Sequence, residues 1–197
     1  MSQWAYSPFF NTKKQMACDL TLGRKEPCKD VIGGLKAIYF TDFGDLGTAT
    51  LTDDVITDLT GTFVAYKYEL KGNSSFEQAI TSSRENGTTF FDQTLTLTLK
   101  KLSKEDNKEI KLLAYGRPHV AVEDYNGNVF VMGLENGAEV TGGSIVTGSG
   151  MAEFSGYNLT LNAQEKLPAN FVDAPTAADP YAGMASATVT VTVGTNS

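Results

Sequence analysis

The chain contains few of the residues from which catalytic and metal sites are built. Its 197 residues include two cysteines, Cys18 and Cys28, and one histidine, His119. A Ser–His–acid or Cys–His mechanism would have to use that imidazole, and the sequence has no Gly-x-Ser-x-Gly nucleophile motif. The cysteines would need further nearby ligands to hold a metal ion. We therefore predict a protein that is not an enzyme, binds no cofactor and no metal, and has a structural or exposed His119.

Two further shortages exclude whole classes of protein. No run approaches the roughly 18 apolar residues needed to cross a bilayer, so a membrane is not an expected partner. Sixteen Lys and Arg against 23 Asp and Glu give a net charge of −7, which argues against binding duplex DNA by neutralising its phosphates. No secretory signal opens the chain, so synthesis in a cytoplasm is expected. Cys18 and Cys28 are then expected as unpaired thiols, with a local disulfide as the alternative.

Threonine, by contrast, is abundant, and it alternates with leucine or valine. The chain has 23 threonines, and the alternation is perfect at residues 94–99 and 188–193. A period of two predicts β-strands with one buried and one wet face. Aromatic and β-branched runs bounded by glycine turns predict further strands at 35–43 and 63–70. The composition therefore indicates a mainly β protein.

A long β-hairpin and one helix stand out in the middle of the chain. Residues 75–99 are predicted to form the hairpin, because Asn86-Gly87 is a strong signal for a tight turn. Residues 102–115 are predicted to be helical, with Ser103 and Asp106 in a capping-box-like arrangement. Shorter strands are expected after the helix, with a Gly/Ser loop within 138–150. The predicted fold is a β-sandwich or barrel with a long hairpin and one flanking α-helix.

The two ends of the chain differ in composition from the middle. Residues 1–16 form an aromatic arm, residues 17–172 form the predicted β-sandwich domain, and residues 173–197 read as a linker followed by a strand. A strand after a linker can close its own sheet or pair with the edge of another subunit. We interpret residues 173–197 as a segment for contact between subunits.

The polar motifs do not match the patterns of phosphate-, calcium- or nucleic-acid-binding sites. Residues 142–150 lack the Gly-Lys-Ser/Thr ending of a phosphate loop, so a mobile loop or turn is expected. The turn with Glu123, Asp124, Asn126 and Asn128 does not have the spacing of an EF-hand, and a solvated turn is favoured over a calcium site. The lysines between residues 100 and 111 alternate with acids, which favours a solvent-facing helix surface over a nucleic-acid patch.

Three segments together resemble a known family. They are Cys28-Lys29-Asp30-Val31-Ile32-Gly33-Gly34-Leu35-Lys36-Ala37-Ile38-Tyr39, the long hairpin with its helix, and Gly156-Tyr157-Asn158-Leu159-Thr160-Leu161 followed by residues 165–169. Over about residues 17–172 the chain resembles the tail tube (major tail) proteins of tailed bacteriophages. The resemblance implies a β-sandwich with one helix and no catalytic residues. It also implies hexameric rings whose long hairpins join into a β-barrel, with the rings stacked into a tube for DNA.

The expected function is therefore that of a virion structural protein, made in the cytoplasm of a bacterial host. Its expected partners are further copies of itself and other phage tail or neck proteins, and DNA is expected to pass an acidic wall without specific binding. The alternatives are a neck or tail terminator protein and a carbohydrate- or cell-surface-binding module that uses Tyr66 and Tyr68. The residues expected to contact other copies are Phe76, Ile80, Phe90, Leu95, Leu97 and Leu99 in the hairpin and Val189, Val191 and Val193 in the last strand.

Overall fold

The computed structural model describes residues 22–26 and 28–194. The chain divides between Val31 and Ile32 into two units, and the described part of the first contains no helix or strand. Cys28 is an exposed free thiol. The predicted aromatic arm, residues 1–16, lies outside the described residues, as does Cys18, so the arrangement of the two cysteines stays a prediction.

The second unit contains one helix and twelve strands among the described residues. The helix is α1 (Lys104–Tyr115). The strands before it are β1 (Leu35–Thr41), β2 (Ala49–Thr52), β3 (Val55–Leu59), β4 (Thr62–Glu69), β5 (Ser75–Ser83) and β6 (Thr88–Lys100). The strands after it are β7 (His119–Asp124), β8 (Val129–Met132), β9 (Glu139–Val146), β10 (Gly156–Glu165), β11 (Asn170–Val172) and β12 (Thr188–Val193). The prediction of a mainly β fold with one flanking helix is confirmed.

Eight of the strands form a sheet that curls strongly. Its order is β12-β4-β1-β7-β8-β11-β3-β2, so four strands lie between β3 and β4. In a flat sheet these two strands would be about 24 Å apart. Only Thr60 and Gly61 join them, and that link spans at most about 11 Å. The sheet must therefore bend round until β3 and β4 approach. Gly61 permits this, because a Cβ atom there would lie 1.9 Å from the Asp45 carbonyl oxygen.

The other four strands form a smaller antiparallel sheet in the order β5-β6-β10-β9. Its longest strand, β6, is 13 residues long and pairs with β5 on one side and β10 on the other. In residues 94–99 of β6, the leucines point to one face and the threonines to the other, as the alternation predicts. The long hairpin predicted at residues 75–99 is thus confirmed as β5 and β6.

Two apolar clusters form on opposite faces of the curled sheet. The inner cluster, inside the curl, includes Tyr39, Ile56 and Phe63. The outer cluster lies between the curled sheet and the four-stranded sheet, and it includes Ile38, Leu97 and Leu161. All six of these side chains are at most 4% exposed. The four-stranded sheet therefore packs as a second layer on the outside of the curled one.

The helix begins where the sequence predicts. The Ser103 side chain accepts a hydrogen bond of 2.9 Å from the backbone N–H of Asp106, which caps the first turn. Ile110 is buried in the outer cluster, and Leu113 packs against it. The backbone N–H of Gly116 donates to the Leu112 carbonyl at the other end. The apolar stripe of α1 thus closes one side of the core between the two sheets.

The strands differ from the sequence predictions in three places. The strands β2 and β3 were not predicted, because their turn is made by Asp53 and Asp54, both with positive φ, instead of by glycine or asparagine. The three-residue β11 is also unpredicted. The predicted Gly/Ser loop begins later than expected, because β9 continues through Gly142-Gly143 to Val146 and pairs with β10.

The segment at residues 173–187 is not a linker. Tyr181 is 1% exposed and makes an edge-to-face contact with Phe63 at a centroid distance of 5.1 Å. Met184 is also buried in the inner cluster. Proline and small residues dominate the segment's composition, but these two side chains anchor it to the inside of the curl. It thereby leads directly into β12.

Candidate assembly surfaces

The four-stranded sheet has one face that no other layer covers in the described residues. Pairing register places on this face the side chains that alternate with the leucines of β6 and β10. It is made mainly of hydroxyl, amide and carboxylate groups. Its members are Ser75, Glu77, Ala79, Thr81 and Ser83 on β5; Thr88, Phe90, Asp92, Thr94, Thr96, Thr98 and Lys100 on β6; Gly156, Asn158, Thr160, Asn162 and Gln164 on β10; and Glu139, Gly142, Ser144 and Val146 on β9.

Hydrogen bonds between strands order this polar face. The Asn162 side-chain amide donates to Asp92 Oδ1 at 2.5 Å and to Thr94 Oγ1 at 3.3 Å. Thr98 Oγ1 donates to Asn158 Oδ1 at 3.2 Å. The face carries more carboxylates than cations, because Lys100 is the single basic residue placed on it by the register. Its potential is therefore expected to be negative.

The edges of the four-stranded sheet are β5 and β9, and neither has an outer strand partner among the described residues. β5 is nine residues long and β9 is eight. An exposed edge presents unpaired N–H and C=O groups and is normally protected by proline, lysine or shortness. β5 contains neither proline nor lysine. Both edges therefore provide templates for pairing with another strand.

The residues predicted for contact between copies divide into two groups. Leu95 and Leu97 are fully buried in the outer cluster of their own chain, and Leu99 packs against it. Ile80 is 69% exposed near the end of the hairpin, while Phe76 and Phe90 are half-buried. Within one chain the three leucines therefore pack in the core. Among the described residues, the outer part of the hairpin is left exposed for contact with another copy.

An aromatic row lies beneath β5, on the side of the core away from α1. Phe76 of β5 approaches Phe130 of β8 at a centroid distance of 6.3 Å, and Phe130 approaches Phe171 of β11 at 4.5 Å. Phe171 is 47% exposed. We call this side, with Ile80, the open flank. No helix covers it in the part of the chain that the structure describes.

The opposite side of the core is closed by α1. The helix packs against β9, and Glu109 and Asp106 lie close enough to Tyr68 of β4 to act on it electrostatically. Burial, reinforced by these two carboxylates, raises the pKa of Tyr68 to about 12. Leu112 and Tyr115 project from the end of the helix and are 53% and 84% exposed. We call this side the helix flank.

A groove of about 320 Å³ lies between α1, β1 and β4. The two tyrosines proposed for carbohydrate binding, Tyr66 and Tyr68, both line it, together with Phe43. Tyr66 is 41% exposed, whereas Tyr68 packs edge-to-face on Phe40 at 5.2 Å. Arg117 lies over the Phe43 ring at 4.2 Å. The groove therefore combines aromatic surfaces with a cation and nearby carboxylates.

The last strand pairs within its own chain. β12 adds to β4 in parallel, from Thr188 opposite Thr62 to Val193 opposite Lys67. Val189 and Val191 pack on the inner cluster, and Val193 is largely exposed. Of the two alternatives for this strand, the structure shows it closing onto its own sheet. Contact with another copy through Val189, Val191 and Val193 stays a prediction, for which the outer edge of β12 is the available surface.

His119 has a structural environment. Its Nε2 accepts from the Gly44 N–H at 3.0 Å, so Nδ1 carries the proton and donates to the Gly133 carbonyl at 2.6 Å. The ring stacks on Phe43 at 5.1 Å and is 3% exposed. Burial lowers the pKa of His119 below its usual value. Both ring nitrogens are therefore used to join the loop after β1 to the end of β8.

The two carboxylates at the end of β7 point in different directions. Glu123 is buried and binds Lys36 and the Tyr39 hydroxyl. Asp124 instead accepts hydrogen bonds from the backbone and side chains of Asn126 and Asn128. Partial burial raises the pKa of Asp124, but these hydrogen bonds outweigh it and leave the pKa lowered. The turn does not assemble its oxygens around a common point.

Within residues 22–26 and 28–194, no group of three or more His, Cys, Asp and Glu side chains is placed to hold a metal ion. Among the same residues, no helix has the length and apolar character to span a bilayer. Of residues 142–150, for which a mobile loop or turn rather than a phosphate loop is expected, those after β9 form a turn in which the Glu153 carboxylate accepts from the backbone N–H and hydroxyl of Ser149. The Glu153 carboxylate thus already accepts from the Ser149 donors that a bound phosphate would need.

A buried carboxylate supports the end of the four-stranded sheet. Glu165, at the end of β10, is 4% exposed, and its Oε1 accepts from the backbone N–H groups of Glu135 and Asn136 at 3.0 and 2.8 Å. Burial raises the pKa of Glu165 above its usual value, although the two hydrogen bonds oppose that shift. Sequence reasoning missed this residue, because an isolated Glu at a strand end carries no signal of burial.

The raised pKa of Glu165 predicts that the difference in free energy of unfolding between the native chain and Glu165→Gln depends on pH. The Gln amide oxygen can accept from the same two N–H groups. A raised folded-state pKa contributes stability that is complete in acid and is lost as the pH rises through that pKa. Relative to the variant, the native chain should therefore lose free energy of unfolding between acid and neutral pH. Urea unfolding across this range measures it, and a difference that does not change with pH would contradict the assignment.

Comparison with protein families, characterised proteins and solved structures finds no match to this chain.

Proposed function

We propose that the protein is a virion structural protein whose copies form closed rings by pairing the edges of the four-stranded sheet. The observation that carries this proposal is the pair of open edges, β5 and β9, on a sheet with a mainly polar outer face. An exposed nine-residue edge is an aggregation hazard in a monomer. In a ring, each β5 pairs with the β9 of a neighbour, and no edge of this sheet is left open.

The strand directions are compatible with such closure. The order β5-β6-β10-β9 is antiparallel at every step, so β5 and β9 run in opposite directions. A rotation about a ring axis preserves the direction of each strand along that axis. β9 of one copy and β5 of the next are therefore antiparallel, and the alternation continues round the ring without interruption.

The size of the resulting barrel suits a channel. If the ring is hexameric, as the resemblance to tail tube proteins implies, it contains about 24 strands. At about 4.8 Å per strand, such a barrel is about 37 Å across before strand tilt widens it. Barrels of about 16 strands already leave an aqueous channel. The lumen would thus accommodate a nucleic acid.

The polar face of the sheet becomes the channel wall, because the opposite face is buried on the curled sheet. Most of this face is threonine, serine and amide side chains, which offer a passing polymer few apolar contacts, and Glu77, Asp92 and Glu139 repel phosphates. This wall agrees with the expectation of an acidic conduit that DNA crosses without specific binding. Stacked rings of this kind would form the tail tube of a phage.

The groove beside α1 favours a second candidate function, a carbohydrate-binding module. Tyr66 offers an exposed aromatic surface, and Asp42, Glu109 and Arg117 are polar groups beside it. Its volume of about 320 Å³ falls at the lower end of the range for small-ligand sites. A glycan that binds the purified monomer and loses affinity in Tyr66→Ala would favour this function over ring formation.

Electron microscopy of the purified full-length chain, with its mass measured in solution, tests the proposed function. We expect rings or stacked tubes with a central channel and a mass that is a fixed multiple of the 21.2 kDa chain. A chain that remains monomeric at all accessible concentrations would contradict the proposal, because its open edges would then have no partner.

A change of charge on the polar face tests its role as a channel wall. Thr96→Lys with Gln164→Lys adds two cations at exposed positions away from both edges. Assemblies of this variant should bind duplex DNA, and the affinity should fall at least about tenfold between about 50 and about 200 mM salt. Native assemblies should bind DNA weakly at either salt concentration.

The matched control adds the same two charges to the curled sheet, with Thr50→Lys and Thr190→Lys at exposed positions. Assemblies of this control variant should bind duplex DNA as weakly as native assemblies do, because its added charges lie outside the polar face. Equal DNA binding by both variants would show that net charge, and not the polar face, controls the interaction.

A further inference from the structure

Among the described residues, the core between the two sheets is closed on one side only. On the helix flank, Ile110 and Leu113 of α1 fill the space beside β9. On the open flank, Phe76, Phe130 and Phe171 form a row that ends at the surface. The two flanks are therefore different in kind: one has a helix and the other lacks a cover in the described residues.

Each flank also carries apolar side chains that the described residues of one chain leave exposed. Tyr115 and Leu112 are 84% and 53% exposed on the helix flank, and Ile80 is 69% exposed on the open flank. Tyr115 lies beside Glu139, where β9 begins. Ile80 lies towards the end of β5. Because β5 and β9 are antiparallel, the end of β5 and the start of β9 are at the same end of the sheet.

Register also places these groups on the same side of the sheet. Ile80 pairs with Phe91, which pairs with the buried Glu165, so Ile80 points to the side of the core. The helix packs on that side too, since its buried residues belong to the core cluster. When β9 of one copy pairs with β5 of the next, the helix of the first copy therefore lies next to the β5 edge of the second, on the side of the sheet that faces the core.

We propose that α1 of each copy covers the open flank of its neighbour in the ring, with Tyr115 and Leu112 against Ile80 and Phe171. This inference rests on the proposed ring and identifies the partner of both flanks as a second copy of this chain. The contact is heterologous, because each copy offers its helix flank to one neighbour and its open flank to the other. Such contacts generate a closed ring when the rotation between copies closes.

The charges beside the two flanks complement each other. Lys108 and Lys111 share the exposed face of α1 with Tyr115, at helical spacings of three to seven residues. Asp53 and Asp54 form the exposed turn before β3, whose first residue, Val55, pairs with Phe171. The neighbour's lysines would thus approach a turn with two carboxylates. Opposite charge at the rim favours this partner and orientation over others.

Disulfide cross-linking of Ile80→Cys with Tyr115→Cys tests the contact, in a full-length background with Cys18→Ser and Cys28→Ser. Tyr115 lies beside the start of β9. Within one chain, β9 and β5 are separated by three strand spacings, or about 14 Å, which is beyond the reach of a disulfide. Every bond between these positions must therefore join two copies. We expect oxidation to give a ladder of covalent oligomers that ends at the size of the ring, whereas either single variant stops at the dimer.

The matched control is Ile80→Cys with Met151→Cys. Met151 is fully exposed in the loop between β9 and β10, at the opposite end of the sheet from the start of β9. This pair should give no ladder beyond dimers. A ladder equal to that of the Tyr115 pair would overturn the proposed contact, because cross-linking would then reflect random collision.

Microscopy of the same oxidised samples tests ring formation separately from the helix contact. Rings without a Tyr115–Ile80 ladder would overturn the helix contact and leave ring formation intact. Neither rings nor ladder would overturn both. A ladder that ends at the ring size seen by microscopy would support both.

Discussion

The four-stranded sheet can bury only one of its faces. Strand β6 alternates leucine with threonine, and β10 follows the same pattern, so one side of the sheet is apolar and the other is hydroxyl and amide. The apolar side packs on the outside of the curled sheet, and α1 closes that core at one flank. The polar side then has no layer above it in the described residues. A one-sided sheet with two open edges is the unit from which a barrel can be assembled.

The curl of the larger sheet makes this arrangement possible. The two-residue link between β3 and β4 draws distant strands together, and Tyr181 and Met184 help to fill the space inside. The eight strands thus form a compact base with its own inner cluster. The four-stranded sheet does not have to enclose a core by itself. Its long hairpin and both of its edges are therefore available for the proposed contacts with other copies.

The features that the sequence predicted correctly are those with a strong local signal. Asn86-Gly87 predicted the long hairpin, Ser103 and Asp106 predicted the start of the helix, and the Thr–Leu alternation predicted which face of β6 is buried. The hairpin of β2 and β3 could not be predicted in this way, because Asp53 and Asp54 adopt positive φ without the usual asparagine or glycine. Tyr181 was missed because its burial depends on a distant contact with Phe63. The open and helix flanks exist only after both sheets are stacked.

The central claim is that β5 and β9 pair between copies, and hydrogen–deuterium exchange of their backbone amides measures this directly. In the separated chain, the amides of these strands that point away from β6 and β10 have no strand partner within residues 22–26 and 28–194, so they should exchange rapidly. In the assembly, the same amides on both strands should become protected together, while the edge amides of β2 change little. Rapid exchange of the outward amides of β5 and β9 in an assembled sample would contradict edge pairing.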